Sequence, residues 1–186
     1  MMYKNKNFSG LRPAHASTEK IEFYGCVFTD CVFDDYQIRD CEFEKCSFKD
    51  CVIKNLKQSF LRINDCSFIQ CLVQGVNLAG LSFPHSFSLL KCKLVYVDFT
   101  DLRLQKSDFT NNAFKECIFE ECDMIGSDFS GSEFTSTEFR RSELSECDFS
   151  HTQGLDLNHQ INRVFNVKIP EEAGIRILKR MGITIT

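Results

Sequence analysis

Tryptophan is absent from the 186 residues, and proline (three) and glycine (nine) are scarce. So little proline and glycine excludes a collagen-like or Pro-rich extended chain, and 43% hydrophobic residues exclude a disordered one. No apolar run approaches the roughly 18 residues that a membrane-crossing helix needs. The N-terminal stretch MMYKNKNFSGLRPAHASTEK lacks the apolar centre of a secretory signal. A basic excess is missing too: net charge −4 and a pI of about 5.6 argue against gripping nucleic acid through a positive surface. There is no CxxC pair, no histidine placed to complete a zinc set and no phosphate-cradling glycine loop. These absences leave a soluble, cytoplasmic, mildly acidic protein, with no cofactor or metal and no direct binding to nucleic acid or membrane expected.

What is abundant is phenylalanine and cysteine, and both keep a period of five. Centres fall at Phe23, Phe28, Phe33, Ile38, Phe43, Phe48, Ile53, Gln58, Ile63, Phe68, Val73, Leu78 and Phe83. One extra residue enters across 84–88, and the series resumes at Leu89 and runs through Phe99, Phe109, Phe119, Phe129 and Phe139 to Phe149. Fifteen of the 19 phenylalanines are centres, so the period is the organising feature of the chain. All 11 cysteines sit two residues before a centre, for example Cys26, Cys46, Cys66, Cys117 and Cys147. Residues two apart on an extended chain share a face, so each pentad turns one small and one large residue to the same side.

Helices repeat at 3.6 and ordinary strands at 2, so neither explains a strict five. A short extended face followed by a corner does, with neighbouring coils hydrogen-bonded as parallel strands about 4.8 Å apart. The pentads CEFEK, CSFKD, CIFEE, SDFSG and CDFSH resemble those of pentapeptide-repeat proteins. That resemblance implies four pentads per square coil and an all-β, right-handed quadrilateral parallel β-helix. Such a core is expected to be a filled stack of layers with no internal cavity. Inward thiols there act as small hydrophobes rather than as metal ligands or redox groups. His15, His85, His151 and His159 lie outside or at the margins of the repeats and are expected to be solvated. No converging nucleophile and base is visible, so no enzyme is expected.

Three segments depart from the pattern. Residues 1–20 are expected to be an N-terminal cap, residues 21–152 the β-helix with its register slip at 84–88, and residues 153–186 a C-terminal cap. Within the last, PEEAGIRILKRMG reads as a short α-helix: Pro170 at its start, Glu171 and Glu172 in the first turn, Lys179 and Arg180 in the last, Gly182 as the stop. Ala173, Ile177, Leu178 and Met181 form an apolar face that either caps the last coil or makes a homodimer interface.

Charge is distributed unevenly. Residues 98–152 hold 13 acids against five bases, while residues 21–97 are nearly balanced. Asp98, Asp108, Asp123, Asp128, Glu133, Glu138, Glu143 and Asp148 occupy eight of eleven outward positions just before a centre. Spread over the rod, they give roughly 0.6 charges per Å, close to duplex DNA. Further stretches, including GSEFTSTEFR, GLDLN, QINR, VKIP, EEAG and ILKRMG, resemble the microcin-immunity branch of the pentapeptide-repeat family and, more distantly, its quinolone-resistance branch. That resemblance implies a homodimer, joined through its C-terminal end, that acts as a DNA mimic, binds DNA gyrase and protects it from a topoisomerase poison. The acidic ladder would be the partner-binding surface. The alternative from another class is a structural or adaptor solenoid for an unrelated protein partner.

Overall fold

Two residues after each centre the chain turns a corner in a left-handed conformation. Asp30, Asp35, Asp40, Lys45 and Asp50 follow Phe28, Phe33, Ile38, Phe43 and Phe48 with φ between 48 and 53°. Non-glycine residues pay roughly 1 kcal/mol for that conformation, a cost offset by the centre each corner helps to bury. The structure is a computed structural model that describes residues 1–13 and 17–185. In it the corners wind the chain into a four-sided parallel β-solenoid.

Each face is a sheet in which every residue pairs with the one 20 positions on. Tyr3, Phe23, Phe43 and Ile63 run up the first face. Phe8, Phe28, Phe48 and Phe68 run up the second. Phe33, Ile53 and Val73 belong to the third, and Thr18, Ile38 and Gln58 to the fourth. At the slip the spacing becomes 21: Phe68 pairs with Leu89 and Val73 with Leu94. One inserted residue is therefore absorbed at one corner, and the faces stay in phase beyond it.

The solenoid is longer than the pattern predicts. Residues 1–20 are not a separate cap, because Met2–Lys4, Asn7–Ser9 and Ser17–Glu19 are strands paired with the next coil. Tyr3, Phe8 and Thr18 are its centres, too mixed in type for the period to show. Nor does pairing stop at 152, since Glu143 pairs with Arg163 and Asp148 with Lys168.

The slip departs from its prediction in detail. Residues 82–86 occupy the strand position of the first face, held by Ser82 N–H to the Leu61 carbonyl (2.8 Å) and Ser86 N–H to the Ile63 carbonyl (2.9 Å). Phe83 is not a core centre; it is 64% exposed, with the Arg103 guanidinium 5.0 Å from its ring. His85 turns inward instead and is buried, its Nε2 accepting the Arg103 N–H at 3.0 Å. His159 is half-buried and His151 exposed; His15 lies outside the described residues.

Inside, aromatic rings stack from coil to coil. Phe28, Phe48 and Phe68 lie 4.7 Å apart and nearly parallel, and Phe129 and Phe149 lie at 4.9 Å. All 11 cysteines are buried free thiols. They are more than small hydrophobes: Cys122 Sγ donates to the Phe99 carbonyl and Cys147 Sγ to the Met124 carbonyl. Serine serves the same way, as when Ser132 donates to the Phe109 carbonyl and accepts the Asn112 N–H. Two residues before a centre, a small donor therefore satisfies a carbonyl of the preceding coil where Cys or Ser stands, while Leu61, Val76, Val97 and Leu102 fill the same position by packing alone. Burial pushes three of these thiols up, to about 11 at Cys117 and about 12 at Cys122 and Cys147.

The expectation of a filled core holds only for the second half. An apolar cavity of about 280 Å³ runs along the axis of the first half, from Tyr3 and Phe8 to Leu89 and Leu94. Side-chain volume accounts for its deeper part, although the ring of Phe23, Phe28, Phe33 and Ile38 lines it with three aromatics. Residues Met124, Phe129, Phe134 and Phe139 make a ring with three aromatics, and all four are buried. The ring of Ile63, Phe68, Val73 and Leu78 has one aromatic, and that of Phe43, Phe48, Ile53 and Gln58 has two.

Candidate partner-binding surface

In the second half, residues just before a centre leave the coil outward and make single bridges to the coils above and below. Asp108, Asp128 and Asp148 stack on the second face, with Lys168 in the next coil. Asp123 and Glu143 stand on the first face between Arg103 and Arg163. Glu133 is on the third, between Ala113 and Gln153. Asp98 and Glu138 are on the fourth, separated by Ile118. The eight acids therefore do not form one ladder, because each pentad turns the chain through a corner. The value of 0.6 charges per Å counts the whole circumference. Along the second face it is one per coil, about one per 4.8 Å, roughly a third of the duplex density.

Hydrogen bonds give the acids a second task that charge counting hides. The Oδ1 atoms of Asp98, Asp108, Asp128 and Asp148 accept the N–H two residues on, from Thr100, Thr110, Ser130 and Ser150, at 2.8–3.0 Å. These side-chain bonds close the turn locally, as Asp and Asn commonly do. The recurring triplet Asp-Phe-Thr or Asp-Phe-Ser carries that signal in the sequence.

Ion pairs then divide the acids into neutralised and free. Lys168 Nζ lies 2.7 Å from Asp148 Oδ2, and Arg163 3.3 Å from Glu143. Partial burial raises the Asp148 carboxyl, but Lys168 and Ser150 outweigh it and bring it down to about 2. Arg140 pairs with Glu138, and Arg141 with Glu120 and Glu121. Asp98, Asp108, Asp123, Asp128 and Glu133 make no ion pair among the described residues. Asp108 and Asp128, adjacent on one face, are the strongest local concentration of free negative charge on the predicted ladder. Among the described residues no cluster of histidine, cysteine and carboxylates could hold a metal ion.

At the C-terminal end the helix Glu171–Arg180 lies against the last turn of chain. Arg176 donates to the Leu155 carbonyl (2.6 Å), and Arg180 to the Leu157 carbonyl (2.9 Å) and to Asp156 (2.7 Å). The predicted dimer quartet is divided by this packing. Ala173 is buried within the single chain and Ile177 packs on the core, so both serve the cap and Ala173 is not available to a second copy. Leu178 is half-buried and Met181 is 55% exposed. Ile161, Phe165, Ile183 and Ile185 add exposed apolar surface in the C-terminal segment, a set that helical periodicity alone does not point to.

Coils of four five-residue faces define a pentapeptide-repeat solenoid, and the chain belongs to the pentapeptide-repeat family. The model for pentapeptide repeats matches residues 92–131 and 114–150. Protein McbG of Escherichia coli is 55% identical over 165 residues, which cover 89% of this chain and 88% of that protein. Among solved structures, a trypsin-treated variant of QnrB1, a plasmid-mediated fluoroquinolone resistance protein, superposes with a TM-score of 0.54 at 20% identity, covering 100% of this chain and 98% of that one. Full-length QnrB1 gives 0.53 at 18% identity, covering 98% and 100%. At that identity the likeness is one of fold. No helix among the described residues is long and apolar enough to cross a membrane.

Proposed function

We propose that this protein binds DNA gyrase and protects it from a topoisomerase poison, acting as a cytoplasmic, non-enzymatic homodimer. The observation that carries the reading is the 55% identity to Protein McbG across nearly the whole of both chains. It extends the resemblance of the pentads and of the C-terminal segment to microcin-immunity proteins. The poison expected first is therefore a microcin, with quinolones the second class to test.

The acidic half supplies the partner surface. Asp108 and Asp128 on the second face, with Asp98, Asp123 and Glu133 around the rod, engage the basic surface on which gyrase holds DNA. Fields of this kind steer association and weaken as salt rises. Met181, Ile183, Ile185 and Phe165 supply the surface for a second copy, which Leu178 joins from the helix.

The test is a gyrase supercoiling assay with the purified protein titrated in, with and without microcin B and a quinolone. Rescue of supercoiling with less cleaved DNA is the expected result. A folded dimer that neither rescues nor inhibits gyrase would replace this reading with that of an adaptor solenoid.

A further inference from the structure

The axial cavity reaches the N-terminal end of the rod, where Tyr3, Phe8, Leu11, Pro13 and Thr18 line it. From that ring to Leu89 and Leu94 is four coil spacings, about 19 Å. Its volume of about 280 Å³ is therefore long and narrow rather than round. The walls are mainly phenylalanine, isoleucine, leucine and valine, with Tyr3 and Pro13 at the end, and one polar pair, Thr18 Oγ1 and Tyr36 OH, is satisfied internally at 2.6 Å. An apolar cavity of about 150 Å³ takes up benzene, so this larger one has the space and the apolar walls for a hydrocarbon.

The coil at that end adds one charge. Lys6 occupies the inward position that is a buried cysteine in the next three coils, Cys26, Cys46 and Cys66. Lys6 is exposed in the coil at this end of the rod, and it makes no ion pair among the described residues. Lys4 and Lys20 are exposed nearby in the same coil, and residues 1–20 hold four bases against one acid.

We propose that the N-terminal half binds an amphiphile with one extended acyl chain and one anionic head, a free fatty acid being the simplest case. The chain lies along the axis between the Ile53, Val73 and Leu94 column and the Phe28, Phe48 and Phe68 column, and the head meets Lys6. Nothing in this depends on gyrase binding, which draws on the opposite half of the rod.

The probe is dodecanoate, titrated into the full chain below its micelle concentration and followed by calorimetry and by melting temperature. The expected result is saturable binding of one molecule per chain with a raised melting temperature. Ile53→Phe and Val73→Phe place in the third face the residue already present at Phe114 and Phe134; each should weaken binding by about tenfold without lowering the melting temperature. Lys6→Glu should weaken dodecanoate but not dodecanol. Absence of saturable binding, or binding that survives both fillings, overturns the proposal. If the filled variants do not fold, methyl resonances of Ile53, Val73 and Leu94 in the native protein decide. They must shift with dodecanoate, and shifts confined to outward methyls such as Val27 and Leu90 overturn it.

Discussion

Lys168 stands one coil beyond Asp148, in the place where the column of aspartates on the second face would have its next member, and closes an ion pair of 2.7 Å. Stacked like charges repel at coil spacing, and the column ends where a cation can relieve it. Replacing Lys168 by methionine should raise the Asp148 carboxyl from about 2 toward the ordinary carboxylate range. The folded value lies below the unfolded one, so the pair contributes stability above about pH 4 that is lost as pH falls toward 2. Titration of the Asp148 carboxyl carbon by NMR in both proteins checks this; equal values would refute it.

Charge and turn geometry are separable on the second face. The double variant Asp108→Asn with Asp128→Asn keeps a side-chain oxygen for the Thr110 and Ser130 amides while removing two charges. Its melting temperature should match the native protein, and its protection of gyrase should need several-fold more protein. Alanine at either position should instead cost about 1 kcal/mol of stability through the lost hydrogen bond. Full protection by the asparagine pair would sink the electrostatic mechanism.

The period of five at Phe28, Phe33, Phe43 and Phe48 made the coil and its corner legible, while the square cross-section entered through the family resemblance. The first coil was hidden because its centres Tyr3, Phe8 and Thr18 are mixed in type and Lys6 stands where Cys26, Cys46 and Cys66 follow in the next three coils. Acids at 108, 128 and 148 were legible as a column through their spacing of 20. Their turn bonds were not, because outward position alone says nothing of what the carboxylate oxygens accept. The axial cavity escaped a reading by residue class, since Ile53, Val73 and Phe134 are all hydrophobic and differ only in volume.

His85 ties the slip to the next coil only while neutral, because its Nε2 accepts the Arg103 N–H. Burial lowers its pKa, the Ser82 carbonyl opposes that, Arg103 adds to it and Asp101 again opposes it. With the folded value below the ordinary 6.5, stability from this contact is present above that pH and is lost as pH falls below it. Hydrogen exchange at the Arg103 amide should accelerate between pH 7.5 and 5.5 relative to buried amides elsewhere. In His85→Asn that pH dependence should vanish; if it persists, His85 is not its source.

Two phenylalanines at predicted centres should behave oppositely. Phe129 is fully buried between Phe109 and Phe149, and its replacement by alanine should cost about 3–5 kcal/mol in urea unfolding. Phe83 is 64% exposed, and the same change there should stay within about 0.5 kcal/mol. Comparable losses would mean that the slip packs as a regular coil.

The left-handed corner recurs with little regard for side-chain type: Asp30, Lys45, Phe60, Tyr96, Glu121 and Arg141 all hold it. The backbone toll is the same for each of these residues, so the identity of a corner residue is nearly invisible to the coil. The four edges of the rod are therefore its writable margins. A lineage can change what those edges say to a partner, one letter at a time, without redrafting the text that folds.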